Sequence, residues 1–354
     1  MSRALIAVVA ALGLAACATP QTNIAATGGT AALQQEKNEQ ARLILAQYRT
    51  DTKRLYDLVS PLFAAASDIC AADKVGPTFG LFDLDTAEMY GKDYRAAAAA
   101  ELGVTDGLVV TFLAPDSPLA KAGVVPGDTL IAFGGKALPP GRKGYRQFMS
   151  QYSALKTTAP VGLTVSHEGV IGPITVIPMI QPKLLLKYDA FNAEINAFAN
   201  GQALTINRGL VRAFSSDDAL LMVLAHELAH NCQRHIESQK TNELLGALAD
   251  GLVAAAGGDT GGAFTRAGAG AFSQDFEREA DYVGLYYIAR AGKSLAKARD
   301  AFRLLTIETG SSLSAAYGAS HPSNPERFLR LQNEEAEIQD KIARGAPLVP
   351  EKKN

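Results

Sequence analysis

The chain is poor in cysteine and histidine, carries no surplus of positive charge and, after its first residues, contains no uninterrupted apolar run of eighteen. Cys17, Cys70 and Cys232 are its only cysteines, so no disulfide framework is expected. With 34 Lys and Arg against 36 Asp and Glu, the formal net charge is −2, and no basic cluster marks a nucleic-acid surface. The nearest approach to a later membrane span, residues 244–258, is too short, rich in Gly and Ala, and interrupted by Asp250. Length and a hydrophobic content of 47% suit two domains with appendages.

The few histidines are concentrated: three of the five fall between positions 226 and 235. His226-Glu227-Leu228-Ala229-His230 places two of them four apart, which on a helix differ by about 40° in azimuth, so both imidazoles can share one metal. Zinc takes such nitrogens at roughly 2.0–2.1 Å and keeps an open water position in catalytic sites. Glu227 stands where this pattern puts the carboxylate that removes a proton from zinc-bound water and later delivers it to the leaving amine. The helix is predicted on independent grounds. Ser215 or Ser216 can cap it, Asp217 and Asp218 suit its positive end, and Leu220, Leu221, Val223, Leu224 and Leu228 give it an almost all-round apolar surface.

The third ligand sets the subclass. A metzincin-type site needs Gly three residues after the second His and another His three further on, but Gln233 and Ile236 stand there. On a continued helix, His235 would lie about 180° from His226 and about 140° from His230, which makes it a capping, packing or surface residue. Cys232, about 200° from His230, reads as a small buried side chain. A glutamate on a second helix remains, the arrangement of thermolysin-like sites. Glu277 and Asp281, four apart, share a face, so Glu277 can bind zinc while Asp281 holds a ligand histidine's outer N–H. Glu279 points elsewhere and is expected in solvent, paired with arginines.

Residues 183–335 resemble the catalytic domain of HtpX-like and CAAX-protease-related zinc metallopeptidases, in their soluble branch. The matching pieces run in order: Asn196-Ala197-Phe198-Ala199, Asn207-Arg208-Gly209-Leu210, Leu224 to His230, Glu277 to Asp281, His321-Pro322 and Glu326-Arg327. The resemblance implies that Glu277 is the third ligand of one zinc ion. It also implies that Asn196, Ala197 and Phe198 belong to an edge strand along which substrate backbone lies, with broad selectivity. For His321 two readings stand open: a loop histidine before a helix begun by Pro325 and Glu326, or, as the family pattern suggests, a donor to the tetrahedral oxyanion or a reversible cap on the metal. Arg327 either supports the site or simply pairs with a carboxylate.

At the amino terminus, Arg3 precedes the apolar run Ala4 to Leu14, a signal segment too short to span a membrane. Leu14-Ala15-Ala16-Cys17 resembles a bacterial lipobox, which implies lipidation at Cys17, against plain signal cleavage nearby. With Ala18 next, the resemblance implies a periplasmic protein anchored to the outer membrane, on a polar tether from Thr19 to Thr30.

Residues 76–181 show strand alternation and turn chemistry. Ser117 to Gly123, Val125-Pro126-Gly127-Asp128 and Leu130 to Phe133 resemble the short helix, tight turn and strand of a bacterial PDZ domain, with 161–165 and 174–177 as its closing hairpin. That resemblance implies that Phe79, Gly80, Leu81 and Phe82 receive a peptide terminus by strand addition. Residues 31–66 carry an apolar stripe through Leu45, Tyr48, Leu55, Val59 and Leu62 that buries either within the chain or in a coiled-coil dimer, and Pro61 should end or kink that helix. Residues 241–273 read as a helical hairpin with a mobile, glycine-rich centre, a candidate lid over the zinc cleft. Phe328 to Ile342 reads as a last amphipathic helix, and Gly345 onward as a disordered tail.

The expected fold class is α+β multidomain: a signal segment (1–17), a tether and helix (18–75), a small antiparallel β PDZ-like domain (76–181), a mainly α-helical gluzincin-type zinc peptidase domain with a short β edge strand (182–342) and a tail (343–354). The expected function is a zinc metalloendopeptidase that cleaves unfolded or damaged cell-envelope proteins. The competing reading is a PDZ-containing adaptor or chaperone-like protein whose zinc site is structural or latched, although a purely structural zinc needs no Glu227.

Overall fold

The structure, a computed structural model, describes residues 28–270, 273–309 and 325–352. Cys17 and His321 lie outside the described residues. Helix α1 (Thr30–Ala66) crosses a boundary between two compact units, one ending at Gln40 and the other beginning at Ala41. Within the first, the exposed helical turns carry the pairs Gln34–Asn38 at 3.0 Å and Gln40–Glu36 at 2.9 Å. All other described elements belong to the second unit.

From Ala41 onward α1 buries the predicted stripe, with Leu45, Leu55, Val59 and Leu62 inside the core and Tyr48 partly buried against it. Each buried Leu or Val contributes about 1.5–3 kcal/mol relative to exposure. The stripe is used twice. Tyr48 and Tyr56 each lie 5.8 Å from the Phe112 ring, on the β domain, and Tyr48 stacks 5.7 Å from Tyr188, on the carboxy-terminal domain. Of the two outcomes expected at Pro61, ending the helix does not occur: α1 runs on to Ala66. Leu62, Phe63 and Ala66, all buried just beyond it, hold those residues helical against the proline's missing N–H.

The β domain opens with β1 (Val75–Thr78) and closes with β8 (Met179–Pro182), which pair antiparallel as a two-stranded ribbon. Between them lie β2 (Phe82–Asp85), β3 (Leu108–Leu113), β4 (Thr129–Phe133), β5 (Lys136–Ala137), β6 (Val161–His167) and β7 (Val170–Val176). They form an antiparallel sheet in the order β2-β3-β4-β6-β7, with β5 on β4. Helices α2 (Arg95–Leu102), α3 (Pro118–Lys121) and α4 (Gly141–Ser153) flank it. The turns follow local chemistry: Ser117 caps α3 by accepting from Ala120 N at 3.1 Å, and Asp128 closes its turn by accepting from Val125 N at 3.0 Å. This domain has its own core around Phe79, Leu108, Leu130, Phe133 and Phe148.

The carboxy-terminal domain starts with a three-stranded sheet in the order β10-β11-β9, where β9 (Leu185–Asp189) runs parallel to β11 (Ala203–Asn207) and β10 (Ala197–Ala199) antiparallel to it. The described remainder is helical: α5 (Arg208–Ala213), α6 (Asp217–Cys232), α7 (His235–Ala255), α8 (Ala263–Gly270), α9 (Ser273–Arg290), α10 (Leu295–Arg299), α11 (Ala301–Thr309) and α12 (Pro325–Ala343). α7 and α8 form the anticipated hairpin, and α8 lies close enough that Gly246 passes against the Phe264 backbone, where a Cβ would come within 2.1 Å of its carbonyl oxygen.

Two expectations are corrected here. Cys70 and Cys232 form a disulfide across 162 residues, because the turn after α1 meets the end of α6, with Ala71 N donating to Cys232 O at 3.0 Å. The tail is ordered as far as it is described. Lys341 Nζ donates to Val349 O at 2.8 Å, and Glu351 N donates to the Tyr282 hydroxyl at 3.0 Å. Leu348, partly buried against the core, supplies the apolar contact that a freely moving tail would lack.

Candidate metal centre

Helix α6 is buried on nearly every side, so its two histidines and one glutamate sit where polar groups need partners. Ser216 is its N-cap residue, and Asp217 and Asp218 occupy its first turn. His226, Glu227 and His230 are each 2–3% exposed. The Nε2 atoms of His226 and His230 lie 3.0 Å apart. From α9, the two Glu277 oxygens stand 3.3 Å from His226 Nε2 and 3.2 Å from His230 Nε2. Ligand atoms of these three residues lie within 4.8 Å of one another, which fits the two nitrogens and one carboxylate of a catalytic zinc site.

The two ligand-bearing helices approach closely. A Cβ on Gly284 of α9 would stand 3.3 Å from Ala225 C and from His226 N, tighter than ordinary contact. A residue with a side chain there would push Glu277's helix away from the histidines.

The outer nitrogens are also held. His226 Nδ1 is 2.9 Å from Asp281 Oδ1, as the spacing of Glu277 and Asp281 anticipates. Arg327, 3% exposed on α12, grips Asp281 with two bonds, Nε to Oδ2 and Nη2 to Oδ1, both 2.7 Å, and its guanidinium lies 3.8 Å over the Phe302 ring. Arg327 thus pairs with a carboxylate, and that carboxylate is the one against His226. Burial works to raise the Asp281 pKa, but the Arg327 charge and the His226 contact outweigh it and hold the carboxyl below its ordinary value. For His226 burial works downward, and hydrogen bonds to Asp281 and Glu277 with their charges overcome it, lifting the imidazole to about 9. A metal ion binding there has to displace that proton.

His235 is a packed side chain, one of the places anticipated for it, and Glu279 is half exposed as expected. His235 is 1% exposed, with Nδ1 3.0 Å from His230 Nδ1 and Nε2 3.1 Å from Glu279 Oε2. The helix does not continue as the azimuths assumed: α6 ends at Cys232 and Arg234 takes φ +62°, so the chain turns before α7 and brings His235 behind His230, outside the cluster of ligand atoms. Glu279 consequently meets a histidine, not arginines.

Asn196 to Ala199 occupy the expected place, β10 being an edge of its sheet, packed on α6. Asn231, which drew no attention in the sequence, fixes the strand. Its Oδ1 accepts from Gly201 N at 2.6 Å and its Nδ2 donates to Ala203 O at 3.0 Å, tying the β10–β11 turn to the residue after His230. An asparagine beside the second histidine, on a face expected to be apolar, was the available signal.

The match to known sequences falls on this same stretch: residues 179–335 fit the model of Peptidase family M48. They are an M48 peptidase domain. Relatives of the M48 domain include the beta-barrel assembly-enhancing proteases of Escherichia coli O157:H7, 37% identical over 116 residues, and of E. coli K12, 35% identical over the same length. These alignments take in 28% of this chain and 24% of the relative, so the chain matches about a quarter of those proteins' length. Solved structures similar to part of the chain include the HtrA-type protease AlgW with a decapeptide, at 22% identity, 30% of each chain and a TM-score of 0.24. Another is the HtrA3 PDZ domain bound to a phage-derived ligand, at 18% identity, 30% of this chain, 88% of that one and a TM-score of 0.23.

Away from the candidate metal centre, a cavity of about 260 Å³ lies between β2 and α4, lined by Phe82, Leu84, Tyr145, Met149 and Tyr152 and bounded by Lys183 to Leu186. Gly80 and Leu81 line it beside Phe82, and two amides of the loop from Phe79 are engaged. Phe79 N donates to the Tyr152 hydroxyl at 3.3 Å and Gly80 N to Thr78 Oγ1 at 3.1 Å.

Proposed function

We propose that this protein is a zinc-dependent endopeptidase of the bacterial cell envelope that hydrolyses peptide bonds in unfolded or damaged envelope proteins. The observation that carries this reading is the convergence of His226, His230 and Glu277 on one point, with Glu227 on the same buried helix. The M48 match supports the reaction class, and the beta-barrel assembly-enhancing relatives support the cellular setting.

The three converging side chains would hold the ion, which when bound supplies Lewis acidity toward the scissile carbonyl. Glu227 takes the proton from the attacking water and passes it to the departing nitrogen. Asp281 and Arg327 keep the His226 ring in register. The edge of β10, Asn196 to Phe198, receives the substrate as an added strand, and backbone pairing gives broad sequence tolerance. His321 is assigned the oxyanion or the capping of the metal, and Cys17 the lipid anchor on the periplasmic side of the outer membrane. No helix among the described residues is long and apolar enough to cross a membrane.

The β domain is proposed as a PDZ-like module for substrate choice or gating, with the cavity beside Phe82 as its groove. Because the Phe79 and Gly80 amides are already bonded, a peptide terminus entering there displaces Tyr152 or binds without them.

Casein digestion by the purified full chain tests the activity. Wild type digests casein, chelation stops it, zinc restores it, and Glu227→Gln binds zinc without digesting. Equal digestion by Glu227→Gln refutes the mechanism, whereas zinc binding without digestion in either protein favours the competing adaptor reading.

A further inference from the structure

His230 is backed by a second histidine that the peptidase reading leaves without a role. His235 Nδ1 lies 3.0 Å from His230 Nδ1, and His235 Nε2 lies 3.1 Å from Glu279 Oε2. The His235 ring is fixed on both flanks, stacked 4.8 Å from Phe276 at 24° and set edge-on to His230 at 4.9 Å. Its side chain is 1% exposed, while that of Glu279 is 52% exposed. The chain thus runs from the metal locus, through one buried ring, to a carboxylate at the surface.

A neutral imidazole carries one N–H and one lone pair, so these contacts constrain where the protons lie. With Nε2 of His230 unprotonated and facing the metal locus, its proton is on Nδ1 and is donated to His235 Nδ1. His235 then carries its own proton on Nε2 and donates it to Glu279. Both contacts behind His230 then pair a donor with an acceptor, and the Nε2 lone pair, 3.2 Å from Glu277 Oε1, is in the form that a cation held between the two would need. In the opposite tautomer of His230, Nδ1 accepts, His235 must donate from its Nδ1, and its unprotonated Nε2 is left against the Glu279 carboxylate. That would set two acceptors in contact at 3.1 Å, one of them on a buried ring.

We propose that His235 and Glu279 form a relay that selects the metal-binding tautomer of His230 and so tightens zinc binding at His226, His230 and Glu277. The inference rests on the metal-site reading above. His235 is a positioning residue, acting on the ion only through His230. The two histidine ligands are then oriented differently, His226 by the Asp281 carboxylate directly and His230 by a carboxylate acting through an imidazole.

The test is zinc affinity of the metal-stripped full chain, measured by competition with a chromophoric chelator, for wild type, His235→Phe, His235→Asn and Glu279→Ala. Outer partners of a metal ligand are worth about 10–100-fold in affinity. His235→Phe should lose that much. His235→Asn, whose side-chain oxygen can accept from His230 Nδ1, should recover most of it, and Glu279→Ala should lose about tenfold at the lower end of that range. The cobalt-substituted His235→Phe protein should also show altered visible bands. A merely structural role would lower the thermal stability of both His235 variants without separating their affinities, and that outcome overturns the relay. Wild-type affinity in His235→Phe overturns it too. Should that variant fail to fold, wild-type affinity in Glu279→Ala, whose site is half exposed, overturns it as well. Wild-type protein that binds no zinc refutes the metal-site reading itself, whereas tight wild-type binding with no difference among variants refutes only the relay.

Discussion

Arg327 and Asp281 form a two-pronged ion pair behind His226, with both residues almost fully buried and the two bonds 2.7 Å long. The pair joins the last long helix to the helix that bears Glu277, and so couples the packing of α12 to the orientation of a ligand.

Breaking that pair from one side should be costly. Arg327→Met leaves the buried Asp281 charge with the His226 imidazole as its remaining ionic partner, and the expected loss is about 3 kcal/mol of folding free energy, the lower end of the range for breaking a buried pair. Urea unfolding of the metal-stripped protein measures it. A loss below about 1 kcal/mol, the range of an exposed pair, would show that Asp281 finds other compensation.

Asn231→Ala should separate substrate positioning from chemistry. It removes both bonds to the β10–β11 turn and leaves the buried Gly201 N–H unpaired, at about 1–3 kcal/mol, while Ala203 O keeps its bond from Asn200 N. If β10 is the substrate edge, KM for casein-derived peptides should rise more than kcat falls. A change in kcat alone would place the substrate elsewhere.

Reduction of the Cys70–Cys232 disulfide opens a loop of 162 residues. The oxidised protein should be more stable than Cys70→Ser with Cys232→Ser by about 2–4 kcal/mol, read from urea unfolding with each protein's own slope, which should be steeper in the double variant because its denatured chain is less compact. Equal unfolding free energies would show that packing of α1 alone holds the two ends together.

Asp83 gives a pH dependence of unusual sign. Burial first, then the neighbouring Asp85 charge, push its carboxyl up to about 7 despite a hydrogen bond with Tyr56. The folded state therefore holds a proton that the unfolded chain has already released, so stability from this group declines as pH rises from about 4 to about 7 and is level above that. Asp83→Asn should flatten that slope in unfolding measured from about pH 5 to 8. An identical slope in both proteins would exclude Asp83 as its source.

Much of the M48 domain could be read from residue order because its signals are local. The ligand spacing on α6, the i and i+4 pairing of Glu277 with Asp281 and the stripe of α1 all depend on one helix at a time. The missed features are relations between segments. Arg234 adopts a positive φ without the glycine that would have announced it, so the turn that redirects His235 could not be foreseen. The disulfide joins residues 162 apart, whose meeting depends on how α1 lies across both domains. Pro61 was outweighed by burial on either side of it, and the tail by Lys341, whose amine reaches both a backbone carbonyl and Glu351.

Gly284 acts as the caliper of the metal centre. The distance between the two helices that supply ligands is limited by a bare Cα against the backbone of Ala225 and His226. A methyl group there would have to shift one helix by a few tenths of an ångström, widening the cage around any bound ion. On the metal-site reading proposed above, a residue that touches no cation would help set which one fits, and a Gly284→Ala protein should trade preference for zinc toward a larger ion such as cadmium.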